Sequence, residues 1–160
     1  MAKRQENSIQ LKRLVIATAA LIAAAMPAGA SLGGDAASIQ ADQVHMQGSR
    51  RTTAAKSYTV HEIQGASGTV VREFVSAEGK VFGVAWQGPW PPDMRQVLGA
   101  YFDQYVQANQ AQRGTRVRRR PILINQPGLV VQVGGHVRAF AGRAYVPEML
   151  PSGVRAENIQ

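Results

Sequence analysis

His45, His61 and His136 are the whole supply of imidazole in a chain of 160 residues that has no cysteine. General bases and metal ligands would come first from these three, and their spacing suits neither role. His61 and Glu62 are adjacent; on a strand, where side chains alternate between faces, they point apart and cannot grip one metal ion. No two histidines stand four apart, as a helical metal site would need. Thiol chemistry and cysteine zinc sites are excluded by composition. Among the acids, Glu62, Glu73 and Asp93 lie in or beside segments that read as ordered. Glu73 is conceivable as a general acid, but its neighbour Arg72 makes a cross-strand salt bridge or a solvated edge the more ordinary reading. There is no G-x-S-x-G elbow, no phosphate-binding glycine loop and no paired-acid motif. The sequence therefore assigns no catalytic residue, no metal ligand and no cofactor.

Binding chemistry is better represented. Arg113, Arg116, Arg118, Arg119 and Arg120 place five guanidinium groups within eight residues. Such a cluster can hold phosphate groups of an anionic envelope surface or another polyanion, because arginine makes bidentate contacts with them; as a solvated linker it would serve only solubility. It lacks the interleaved aromatics of a nucleic-acid site, and nucleic acid is not the expected partner. Trp90 is the second candidate for interaction. It stands in GKVFGVAWQGPWPPDM, Gly79 to Met94, which holds both tryptophans.

The elements that position these residues follow from periodicity. Runs rich in Val, Thr, Phe and Tyr predict strands over 58–64, 69–76 and 80–87, with a short turn at Ala77-Glu78-Gly79. In the third run Phe82, Val84 and Trp86 share one face and Val81, Gly83 and Ala85 the other, so a central strand is expected with Trp86 in the core. Pro91 and Pro92 stop that strand, since proline cannot donate to a ladder. Asp93, with Gln96 three residues on, has the spacing of a capping box. Met94, Val97, Leu98, Tyr101, Phe102, Tyr105 and Val106 then recur at helical spacing, with Gln96 and Gly99 facing away. A second β region follows over 122–125, 129–133 and 136–144, with Gly134-Gly135 as its hairpin turn. These runs condense to an α+β fold: an antiparallel sheet of about five strands, in the order β-β-β-α-β-β, with one amphipathic helix packed on a face. A helix of about fifteen residues is only some 22 Å long, so much of the sheet would stay open to a partner or to self-association.

The ends have their own character. Lys3, Arg4, Lys12 and Arg13 precede an apolar run from Leu14 to Met26, and Ala28-Gly29-Ala30 supplies a small-x-small cleavage pattern, so residues 1–30 read as a cleavable signal peptide for the general secretory route. That run is too short to span a membrane, which takes roughly 20 apolar residues, and no transmembrane helix is expected after cleavage. Without those residues the chain carries fourteen Lys plus Arg against nine Asp plus Glu, a net +5 where the whole chain has +8. Residues 31–57, rich in Ala, Gly, Ser and Gln, read as a flexible lead, 58–150 as a single domain and 151–160 as a tail.

Ser31-Leu-Gly-Gly34, GTVVREFV from Gly68, GKVFGVAWQGP from Gly79, PDMRQVLGAYF from Pro92 and GHVRAFAGRAYVP from Gly135 together resemble the bacterial exported family called domain of unknown function 2844. The resemblance spans nearly all of the chain beyond residue 30 and implies a small exported proteobacterial protein. It implies no activity, so no catalytic residues carry over. The expectation is a periplasmic or extracellular binding or envelope accessory module and not an enzyme, with Trp90 and the arginine cluster as interaction sites. An envelope-acting hydrolase with a site assembled only in the fold is the alternative. The structural residues are Phe82, Val84, Trp86, Asp93, Leu98, Tyr101 and Phe102.

Overall fold

A computed structural model describes residues 32–114 and 121–160. The expected signal peptide and Arg116, Arg118, Arg119 and Arg120 lie outside the described residues. Seven strands form one antiparallel sheet: β1 (Ser49–Ala54), β2 (Tyr58–Gln64), β3 (Val70–Ser76), β4 (Val81–Gly88), β5 (Ile122–Gln126), β6 (Leu129–His136) and β7 (Ala139–Tyr145). Their order across the sheet is β1-β2-β3-β4-β7-β6-β5. Four strands run as successive hairpins; the chain then crosses to the far edge and returns so that β7 pairs with β4. The crossing carries α2 (Met94–Leu98) and α3 (Phe102–Ala111), which share one face of the sheet with α1 (Ile39–His45).

The α+β class and the antiparallel sheet are as the sequence indicates, but seven strands replace about five. The extra edge strand β1 and the helix α1 come from the segment read as a flexible lead. Their apolar residues are too sparse to show a period, yet Leu32 and Ile39 are fully buried. The backbone of this segment is stitched to the domain: Leu32 N donates to Val97 O at 3.1 Å, Gly33 N to Val81 O at 2.8 Å, and Val81 N to Gly34 O at 2.9 Å. The Lys80–Asp35 ion pair at 2.6 Å closes the same bridge. These contacts are all distant in sequence, which is why local pattern could not reveal them.

A β-bulge corrects the face assignment in β4. Phe74 pairs with Gly83 but Val75 pairs with Val81, so Phe82 is the extra residue. Two neighbours then point the same way and the alternation slips. Val81, Val84 and Trp86 pack in the core beneath the helices, with Ile63, Val71, Ile124, Val131, Val97 and Leu98. Phe82 and Ala85 belong to the opposite face, in a cluster with Phe74 and Ile159. There the rings of Tyr58, Phe74 and Phe82 lie with centroids 5.8, 5.9 and 6.2 Å apart.

The second hairpin is also displaced from its expected place. Gly134 and Gly135 lie inside β6, and the turn is Val137-Arg138, with Arg138 at φ 67°. At Gly135 a Cβ would run into the carbonyl oxygen of Ala139, so this glycine serves a close strand approach and not the turn. The long helix is broken as well. Gly99 takes φ 50° and ψ −121°, outside any right-handed helix, and a 3-10 turn over Gly99–Tyr101 redirects the chain into α3. Asp93 does cap α2, accepting from Arg95 N at 2.9 Å and Gln96 N at 3.4 Å. The Gln96 side chain does not complete the capping box; it reaches Asp42 on α1.

The tail covers the second face. After two 3-10 turns, Ile159 is fully buried over Gly83, where a Cβ would stand 2.8 Å from its Cδ1. Leu150 and Val154 pack against the same cluster. Ile159→Ala should therefore destabilise the domain by about 2 kcal/mol, as for other buried aliphatic truncations, measured as a shift of the urea midpoint at unchanged slope. An unchanged midpoint would mean that the tail contributes nothing to the core.

Candidate functional site

The residues with the most perturbed chemistry are sealed inside the sheet-helix interface. Glu73 on β3 is 1 % exposed and Asp42 on α1 is buried opposite it. Burial, followed by the hydrogen bond and the negative charge of Asp42, pushes the Glu73 carboxyl up to about 10. Glu73 thus keeps its proton at neutral pH and donates it to Asp42, which also accepts from Gln96 Nε2 at 2.7 Å. Glu73 Oε2 has no hydrogen-bond partner. The pair can share a proton, as two carboxyls forced together do, and neither member is among the residues lining the two clefts described below. The expected cross-strand salt bridge is made instead by Glu62 on β2, the partner of Arg72 on the other face, which bridges Arg51 at 3.0 Å and Arg72 at 2.8 Å. The sequence reading missed the pair because its second member sits in the segment taken for a lead.

The histidines do not converge. His61 is the cross-strand partner of Glu73, half-buried, with Nδ1 3.1 Å from Thr52 Oγ1; burial first, then the charge of Arg50, lowers its pKa. His136 is exposed beside its own hairpin turn, with Nδ1 3.1 Å from Val137 O. His45 ends α1 at the mouth of a different cleft. Among the described residues no group of three His, Asp or Glu side chains could hold a metal ion.

That cleft is the strand-to-helix corner. Its volume is about 250 Å³, and its walls include His45, Met46, Thr69, Pro91, Pro92 and Gln96. Two features make the corner rigid. Thr69 is buried and its Oγ1 donates to Trp90 O at 2.7 Å, and Asp93 caps α2 immediately afterwards. The Trp90 indole, by contrast, is 59 % exposed. Trp86 is buried in the core, as expected, so the two tryptophans of the motif part company at the corner. Leu98 is buried and Tyr101 and Phe102 pack against the same core, Phe102 under the Arg95 guanidinium at 4.3 Å. Of the arginine cluster only Arg113 is described, exposed just beyond α3.

Among the described residues no helix is long and apolar enough to cross a membrane. No match was found among curated proteins or among solved structures. Residues 28–159, which take in every element that builds the corner and the sealed acid pair, match the family described as "Protein of unknown function (DUF2844)", and the chain belongs to that family.

Proposed function

We propose that the protein is an exported, non-enzymatic binding module that engages an envelope protein through the strand-to-helix corner. Export rests on the basic residues, the apolar run and the Ala28-Gly29-Ala30 pattern at the N-terminus. The observation that carries the binding role is Trp90: a large aromatic held in water on a backbone pinned from both sides, beside a cleft. A rigid exposed indole offers much contact area at little entropic cost, and tryptophan is prominent among residues that dominate interfaces. The hydrolase reading loses support because the strongly perturbed Glu73 carboxyl is buried away from solvent. A second reading, binding of a polyanion, is favoured by the five arginines over residues 113–120.

Trp90→Ala should leave stability within about 0.5 kcal/mol, as for exposed substitutions, while weakening partner binding by roughly 30-fold or more. The check is affinity capture from the periplasm with the wild type, Trp90→Ala and a Leu123→Ala control that truncates another exposed apolar side chain. A protein retained by the wild type and the control but lost with Trp90→Ala supports the corner. Equal retention by all three overturns it.

A further inference from the structure

On the sheet face away from the helices, the ladders align Arg51, Glu62, Arg72, Ala85, Arg143, Gln132 and Leu123 in one row across all seven strands. The centre of this row is hollow. Ala85, Ala141 and Gly134 are too small to fill the face, the strand backbones form a floor, and the end of the tail at Ile159 makes one wall. The result is a basin of about 300 Å³, at the lower end of the range for small-molecule sites.

Two guanidinium groups flank the basin, one on either side of Ala85, with Cα positions two strands or roughly 10 Å apart. Neither is used up. Arg143 donates from Nε to Gln132 Oε1 at 2.8 Å and from Nη1 to the carbonyls of Ala156 at 2.7 Å and Ile159 at 3.4 Å. Its hydrogen-bond partners are all neutral, and among the described residues no Asp or Glu side chain pairs with this half-buried charge. Arg72, with a side chain 24 % exposed, gives only Nε to Glu62, and Glu62 is shared with Arg51. Nη1 and Nη2 of Arg72 and Nη2 of Arg143 thus have no hydrogen-bond acceptor among the described residues. No Asp or Glu side chain lines the basin, whereas Gln87 and Gln132 add amide donors and the exposed Pro121 and Ala141 add apolar surface.

We infer that this basin binds a small organic anion, its carboxylate or phosphate head held between Arg72 and Arg143 and its apolar body laid on Pro121 and Ala141. Guanidinium forks match the planar oxygen pairs of such head groups, and a partly desolvated cation without a counter-charge is stabilised by receiving one. The strand backbones of the floor are already paired in the sheet, so the head group must be read by side chains alone. The basin lies on the opposite face from the interface that buries α2, and the inference does not depend on the corner.

The test is an NMR titration of the full ¹⁵N-labelled chain with benzoate, phenyl phosphate, inorganic phosphate and the neutral benzamide. Benzoate or phenyl phosphate should give saturable shifts at the amides of Gln87, Gln132, Ala141 and Arg143, and the stronger of the two identifies the head group; benzamide should give none. Arg72→Gln should weaken binding at least tenfold while leaving the Ile159 amide in place, because Arg143 and not Arg72 holds the tail. Ala141→Phe, which fills the basin and keeps both charges, should abolish binding. Arg51→Gln, outside the basin, should change it less than twofold. The inference falls if neither anion saturates, if benzamide shifts the same amides, or if Arg72→Gln binds like the wild type. Inorganic phosphate binding as tightly as phenyl phosphate overturns the apolar half of the site.

Discussion

Glu73→Gln is expected to stabilise the protein at neutral pH, although it alters a buried, hydrogen-bonded side chain. The folded protein holds the Glu73 proton up to a pKa of about 10, against 4.5 for an unperturbed glutamate. Below pH 4.5 the carboxyl is protonated in both states and carries no penalty. Between 4.5 and 10 the unfolded chain releases the proton while the folded protein keeps it, so stability falls by about 1.4 kcal/mol for each pH unit. At pH 7 the loss amounts to about 3 kcal/mol. Glutamine has the same shape, cannot ionise and can still donate to Asp42, so the variant escapes this loss. Urea unfolding at pH 5, 6, 7 and 8 checks the sign: the wild type should weaken steadily as pH rises, and the difference from the variant should widen. A variant less stable than the wild type at pH 7, with a parallel pH dependence, would remove the proton-sharing account of the pair.

Trp86→Ala should cost about 4 kcal/mol, the scale of other buried tryptophan truncations, and exceed every other single substitution considered for this protein. The indole is 2 % exposed and lies across β7 at Gly142, its direct cross-strand partner. A Cβ on Gly142 would come within 2.6 Å of Trp86 Cε2 and 2.7 Å of the Gln132 carbonyl oxygen. Glycine is required there by the ring and by the Gln132 carbonyl of the neighbouring strand, not by a positive φ of its own. Gly142→Ala alone should consequently destabilise by about 1–3 kcal/mol through overpacking. In the Trp86→Ala background the clash with the ring is gone, and the two losses should sum to less than their separate values. Additive losses in a double-mutant cycle would show that ring and glycine do not meet.

The strands were legible wherever one element carried its own signal. Six of the seven lie over runs of β-branched and aromatic residues, and the Asp93 cap follows directly from a proline pair and the helical period behind it. Legibility failed where one residue changed a local rule. Phe82, inserted as a bulge, moved itself to the tail face and left Val84 and Trp86 under the helices. Gly99 has a place in the helical period, but its positive φ ends α2. Gly134-Gly135 has the composition of a hairpin turn, yet the pairing of His136 with Ala139 puts the turn three residues later.

The site was less legible still. Trp90 could be singled out because a strand ending in glycine and proline no longer dictates where an indole points, and it is the exposed one of the two tryptophans. Glu73 looked like an edge or salt-bridge residue because nothing in its own strand announces Asp42, thirty-one positions earlier. Arg72 and Arg143 attracted no notice singly; they flank one basin only because β7 inserts beside β4. From the sequence alone came the family resemblance, the α+β class, the absence of thiol chemistry and the partition between a core and an exposed tryptophan. Strand order, the tail over Phe82 and Gly83, the sealed acid pair and the arginine basin came from the tertiary structure, because each depends on contacts between segments far apart in the chain that no periodicity of 2 or 3.6 residues records.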